Sequence, residues 1–151
     1  MVMGEEHVGL RVTSVSRLEA KEHITIPLYL CCVSAGFPSP ASDFIEQDID
    51  LNKWLIRNKL ATYIVCVEGD SMTDEIHPED RLIVDRSLEP RHKDVVIACI
   101  DGEVMVKRLL VEGGRHYLVA DNPQYPMIEI NGDRELIIWG VVTHSIHRLR
   151  R

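Results

Sequence analysis

The sequence predicts a mainly β domain with one short helix and an extended amino-terminal arm, and three observations carry that prediction. Short runs of Val, Ile and Leu recur from Ala61 to His144, separated by Gly, Pro, Asp and Asn. The dipeptide Asp101-Gly102, favoured in tight hairpins, joins two of them. Residues 1 to about 35 mix polar stretches with one short apolar run that contains Pro27 and lacks helical spacing.

That run, Ile24 to Leu30, is read as extended. Ser34 to Ala41 joins small residues to Pro38 and Pro40, a composition that resists helix and sheet and leaves the backbone accessible, so it is a linker. Asp43 with Glu46 three residues on has the form of a helix cap, and Asp50 precedes Leu51, Trp54 and Leu55 at helical spacing. A helix is expected at about 50 to 58. Strands are expected at Tyr63 to Glu68, Arg81 to Asp85, Asp94 to Ile100, Glu103 to Val111, Tyr117 to Ala120 and Leu136 to His144. The last is apolar on both faces, as a central strand or an interface strand would be. The organisation is therefore an arm, 1–35, and a body, 36–151.

With 151 residues the chain is sized for one main core. Seventeen Lys and Arg against 24 Asp and Glu give a formal charge of -7, which excludes nucleic-acid binding through a broad basic surface and leaves little direct DNA binding. No apolar run approaches the ~20 residues that span a bilayer, so no membrane association is expected and the location is cytoplasmic. Cys31, Cys32, Cys66 and Cys99 form no C-x-x-C pair and read as reduced thiols. His144 and His147 are a close pair without a cysteine or carboxylate cluster beside them, so neither metal nor cofactor is expected.

Gly69-Asp70-Ser71-Met72 follows directly on an expected strand, where a serine hydroxyl leaves the sheet. Gly, Asp and Ser also favour turns for backbone reasons alone, so a catalytic serine here requires a base. On the strand from Glu103, alternation puts Met105, Lys107, Leu109 and Val111 on one face. Burial among apolar neighbours disfavours the ammonium and suits Lys107 to accept a serine proton near neutral pH. Arg108 cannot do this, because guanidinium stays protonated. Two other readings stand beside this one: Lys107 snorkelling from a half-buried edge, and a triad using His77, His92 or His116 with Asp70 or Asp94.

Several segments together resemble the LexA/UmuD-type self-cleaving serine-lysine peptidases. They are Ala35-Gly36-Phe37-Pro38-Ser39-Pro40-Ala41, Gln47 to Asn52, Gly69-Asp70-Ser71-Met72, Leu82-Ile83-Val84-Asp85, Asp101-Gly102-Glu103 through Val106-Lys107-Arg108-Leu109, Asn122-Pro123-Gln124-Tyr125-Pro126 and Trp139-Gly140-Val141-Val142. The resemblance implies the compact fold of that family, Ser71 as nucleophile and Lys107 as base. It also implies cleavage between Ala35 and Gly36, with backbone N–H groups of Asp70 and Ser71 as oxyanion donors.

The partners it implies are a RecA filament on single-stranded DNA that stimulates cleavage, a second copy in a homodimer, and a Y-family (UmuC-like) polymerase that the shortened protein serves as accessory subunit. A repressor of the same family would carry a helix-turn-helix domain before the cleavage site, and the 35 residues before Gly36 show no such pattern. A non-catalytic dimerising module remains the alternative from another class. The segment before about residue 12 has no assigned role.

Overall fold

The computed structural model describes residues 9–17, 25–29, 45–72, 74–132 and 135–150. They form two compact units, one of residues 9–17 and 58–150, the other of 25–29 and 45–57. The linker and the bond between Ala35 and Gly36 lie outside the described residues.

In the smaller unit, β2 (Thr25–Tyr29) pairs antiparallel with β3 (Ile45–Asp50). Of the apolar run, Thr25–Tyr29 is thus extended, as expected, and a two-stranded ribbon tolerates Pro27 because each strand is an edge. Glu46, expected in a cap, lies in β3. The cap is Asp50, whose side chain accepts from the amides of Asn52 and Lys53. The helix α1 (Leu51–Leu55) is shorter than the expected 50 to 58, because Ile56 turns to extended backbone and ends it.

The larger unit is one antiparallel sheet of β1 (Arg11–Arg17), β4 (Thr62–Glu68), β5 (Arg81–Asp85), β6 (Val95–Ile100), β7 (Glu103–Glu112), β8 (Arg115–Val119), β9 (Ile128–Ile130) and β10 (Leu136–Ile146). Its order is β1-β4-β5-β10-β6-β7-β8-β9, and β1 also meets β7 through Arg11 opposite Met105. That second pairing closes six strands into a ring and removes two edges. The mainly β class with one short helix is as the sequence predicts. The long apolar strand is central, with β10 between β5 and β6.

The β6–β7 hairpin turns on Asp101 and Gly102, both at positive φ (49° and 85°), the geometry of a two-residue turn that fixes Ile100 opposite Glu103. The register carries through to Val96 opposite Lys107. One apolar cluster gathers Leu10, Val65, Val67, Met72, Ile76, Leu82, Val84, Ile97 and Val106. A second holds Val96, Ala98, Ile100, Met105, Leu109, Leu118, Ile128 and Val141. Each fully buried aliphatic side chain contributes roughly 1.5–3 kcal/mol. Adjacent residues of β7, Met105 and Val106, thus serve opposite clusters, and the middle of that strand is buried on both faces.

Candidate active site

Ser71 sits just beyond β4, where Gly69 at φ 101° reverses the chain. The turn is built by backbone bonds: the Met72 carbonyl accepts from Ile76 at 2.7 Å and Glu75 at 3.2 Å. A second loop clamps it. Asn122 donates its amide to the Ser71 carbonyl at 2.8 Å and its side-chain nitrogen to the Asp70 carbonyl at 3.3 Å, and the Tyr125 hydroxyl bonds the Asp70 carboxylate. That carboxylate pushes the Tyr125 hydroxyl above its usual range.

Both candidate catalytic side chains are enclosed, Ser71 at 0% exposure and Lys107 at 1%. Lys107 has no ion-pair partner among the described residues, and its ammonium lies 5.0 Å from the centre of the Tyr125 ring. Burial without a compensating carboxylate holds it below the ordinary lysine range. The snorkelling alternative does not fit a lysine so enclosed.

A short piece of the arm lies between Ser71 and the strand β7 that carries Lys107. Leu10 donates its amide to Ser71 Oγ at 2.6 Å, and its carbonyl accepts from the amide of Val106, the neighbour of Lys107, at 3.1 Å. Tyr125 borders the same place: a side chain added at Gly9 would stand 3.2 Å from its ring and would overlap Ser71 Cβ and Oγ. Tyr125 thus borders both the Gly9-Leu10 backbone at Ser71 and the ammonium of Lys107.

The histidines of the alternative triad are engaged elsewhere. His77 packs against His147 with ring centres 4.7 Å apart, His92 accepts from the Val111 amide, and His116 is exposed on β8. Asp94 accepts from the Arg91 amide, and no described histidine bonds Ser71. The pair His144 and His147 splits, His147 to Asp80 at 2.5 Å and His144 to Thr143. No group of three or more His, Cys, Asp or Glu among the described residues is arranged to hold a metal ion.

Comparison with known proteins places the chain in a family. Residues 27–143 match the family described as peptidase S24-like. The chain belongs to that family. Its members include self-cleaving serine peptidases. Protein MucA of Escherichia coli is 47% identical over 124 residues, which are 81% of this chain and 84% of MucA. Protein ImpA of Shigella flexneri is 44% identical over 127 residues, 82% of this chain and 85% of ImpA. The LexA repressor of Pseudomonas chlororaphis is 38% identical over 118 residues, 77% of this chain but only 58% of the repressor.

This S24-like chain therefore lies closer to the MucA and ImpA pattern than to the longer repressor. Two parts of its cleft are not assigned by sequence reasoning. Asn122 and Tyr125 stand in a motif quoted for resemblance alone, although Asn-Pro before a further Pro signals a built turn between strands. Gly9 and Leu10 fall in the segment given no role. No described helix is long and apolar enough to cross a membrane.

Proposed function

We propose that this protein cuts its own chain between Ala35 and Gly36, using Ser71 as nucleophile and Lys107 as base. The observation that carries this reading is the burial of Lys107 without a carboxylate partner, beside the tyrosine that also borders Ser71's cleft. A lysine so placed reaches its neutral form at lower pH and accepts the serine proton.

The serine oxygen then attacks the Ala35 carbonyl carbon, and the oxyanion is met by the backbone N–H groups of Asp70 and Ser71. Collapse breaks the C–N bond, and the Gly36 nitrogen takes the proton from Lys107 and departs. Water then attacks the Ala35 ester, giving its proton to Lys107, and as the acyl carbon–oxygen bond breaks the serine oxygen takes that proton back, restoring Ser71 and neutral Lys107. Because substrate and nucleophile share one chain, the effective concentration of the scissile bond is high and a single turnover suffices.

The likeness to MucA and ImpA supports a damage-response role: cleavage stimulated by a RecA filament, and a homodimeric product acting as accessory subunit of a Y-family polymerase. The formal charge of -7 supports work on DNA through such a partner rather than by direct contact. Purified protein held at about pH 9 to 10, just below the ordinary lysine value of about 10.4, tests the reaction. Mass spectrometry is expected to find pieces of 35 and 116 residues (151 minus 35), the larger starting at Gly36. A different new terminus, or an intact chain even with RecA filaments present, contradicts the proposal.

A further inference from the structure

The reaction requires Ala35 and Gly36 at Ser71, yet Gly9 and Leu10 are already there. Leu10 is fully buried in the cluster with Val65, Val67, Met72, Ile76 and Val106, its amide bonds Ser71 Oγ, and its carbonyl bonds Val106. Gly9 passes so close that any side chain would overlap Ser71 Cβ and Oγ. Its carbonyl oxygen in turn presses on Gly69, where an added Cβ would overlap it. Glycine faces glycine at the point where the chain passes the nucleophile, and an apolar pocket receives the next residue.

The linker offers the same two-residue pattern. Gly36 is followed by Phe37 as Gly9 is followed by Leu10, and Val8 and Ala35 both precede with small or branched apolar side chains. The sequence contains nine glycines. Gly69 belongs to the cleft wall, and of the remaining glycines outside the Gly9 segment only Gly4, Gly36, Gly102, Gly113, Gly114, Gly132 and Gly140 exist to compete. Among these, Gly36 and Gly140 alone have an apolar follower, and Gly140 is fixed inside β10.

We infer that residues 9–12 are an internal occupant of the Ser71 cleft, which selects a glycine followed by an apolar residue, and that they compete with Gly36-Phe37 for it. β1 holds the occupant in place by pairing Arg11 with Glu68 on one side and with Met105 on the other. The uncut protein is thereby slowed by its own arm. Any condition that peels β1 from the ring frees the cleft for the linker. This rests on Ser71 as the nucleophile, so the test includes a measurement that does not depend on catalysis.

Gly9→Ala is the variant, since one methyl is enough to overlap Ser71. In a Ser71→Cys background, the thiol is alkylated with iodoacetamide, and Gly9→Ala is expected to raise that rate roughly tenfold or more, the scale set by losing one buried leucine contact. With Ser71 intact, the same change is expected to speed alkaline cleavage at Ala35 by a similar factor. Leu10→Ala, which keeps the backbone but empties the pocket, should act in the same direction. Circular dichroism of each variant should match the parent. Unchanged alkylation would show that the segment does not cover Ser71 in solution and would overturn the inference. Faster alkylation with unchanged cleavage would overturn the competition. Cleavage that persists in Ser71→Ala would instead remove the nucleophile assignment.

Discussion

The backbone amide of Leu10 donates to Oγ of Ser71 across 2.6 Å, joining the start of the first strand to the turn after the fourth. The contact is possible because two glycines meet there. Gly69 has φ 101° and its Cβ position is filled by the Gly9 carbonyl, whereas Gly102, at φ 85°, has nothing within 4 Å of its Cβ position. Gly69→Ala should therefore lower stability by more than Gly102→Ala, which carries only the left-handed backbone cost of roughly 1–2 kcal/mol. Urea unfolding of both variants checks the order, and equal losses would mean that the close approach does not matter.

Tyr125 has two separable jobs, a bond to Asp70 and a ring over Lys107. Tyr125→Phe removes only the first, costing about 1 kcal/mol, and should leave the pH dependence of cleavage in place. Tyr125→Ala also opens Lys107 to water. A better hydrated ammonium has a higher pKa, so the rise of cleavage with pH should move to higher pH in that variant alone. Rate profiles of both proteins decide the matter.

Burial keeps the folded-state pKa of Lys107 below its unfolded value. Between the two values the unfolded chain binds more protons, so stability rises with pH across that window. At neutral pH the buried charge is a liability. Lys107→Met is expected to be more stable than the parent near pH 7, with the difference shrinking as pH approaches about 10.4. Denaturation across that range measures it, and a Met variant less stable at pH 7 would contradict the account of burial.

Asp80 behaves oppositely. Burial alone raises its pKa, but bonds from the His77 amide, His147 and Ser145 outweigh it and hold the carboxyl below the ordinary range. Its contribution is thus present above the unfolded value of about 3.9 and is lost as pH falls through the folded one. Asp80→Asn should lower stability at pH 7 by roughly 1–3 kcal/mol and flatten the acid limb of the stability curve. A variant that loses stability in acid as steeply as the parent would exclude Asp80 as a source of that limb.

Much of this molecule is legible in its sequence where alternation and turn chemistry agree. Asp101-Gly102 fixes the register that leads to Lys107, and Met105 and Leu109 mark the apolar face on which that lysine is enclosed. β1 is not legible, because six of its seven residues are exposed and a strand so exposed needs no apolar alternation. Its apolar anchors are Leu10, one residue before the strand, and the half-buried Val12. β9 is three residues long, below the length at which a pattern forms. The spacing of Leu51, Trp54 and Leu55 does not mark where α1 ends, and Ile56, off that stripe, is buried as extended backbone, 8% exposed. Tyr125 and Asn122 reach Asp70 from more than fifty residues away, and no local rule joins them.

The proposed cut depends on one serine and one lysine. Full-length protein, Ser71→Ala, Lys107→Ala and Lys107→Arg should be held side by side at about pH 9 to 10 and followed by mass spectrometry, with circular dichroism confirming that each is folded. A Gly36 terminus is expected from the parent and intact chains from all three variants, the arginine one included because guanidinium does not give up its proton. Continued cleavage at Ala35 in either lysine variant, with His77→Ala, His92→Ala or His116→Ala abolishing it instead, would contradict Lys107 as the base.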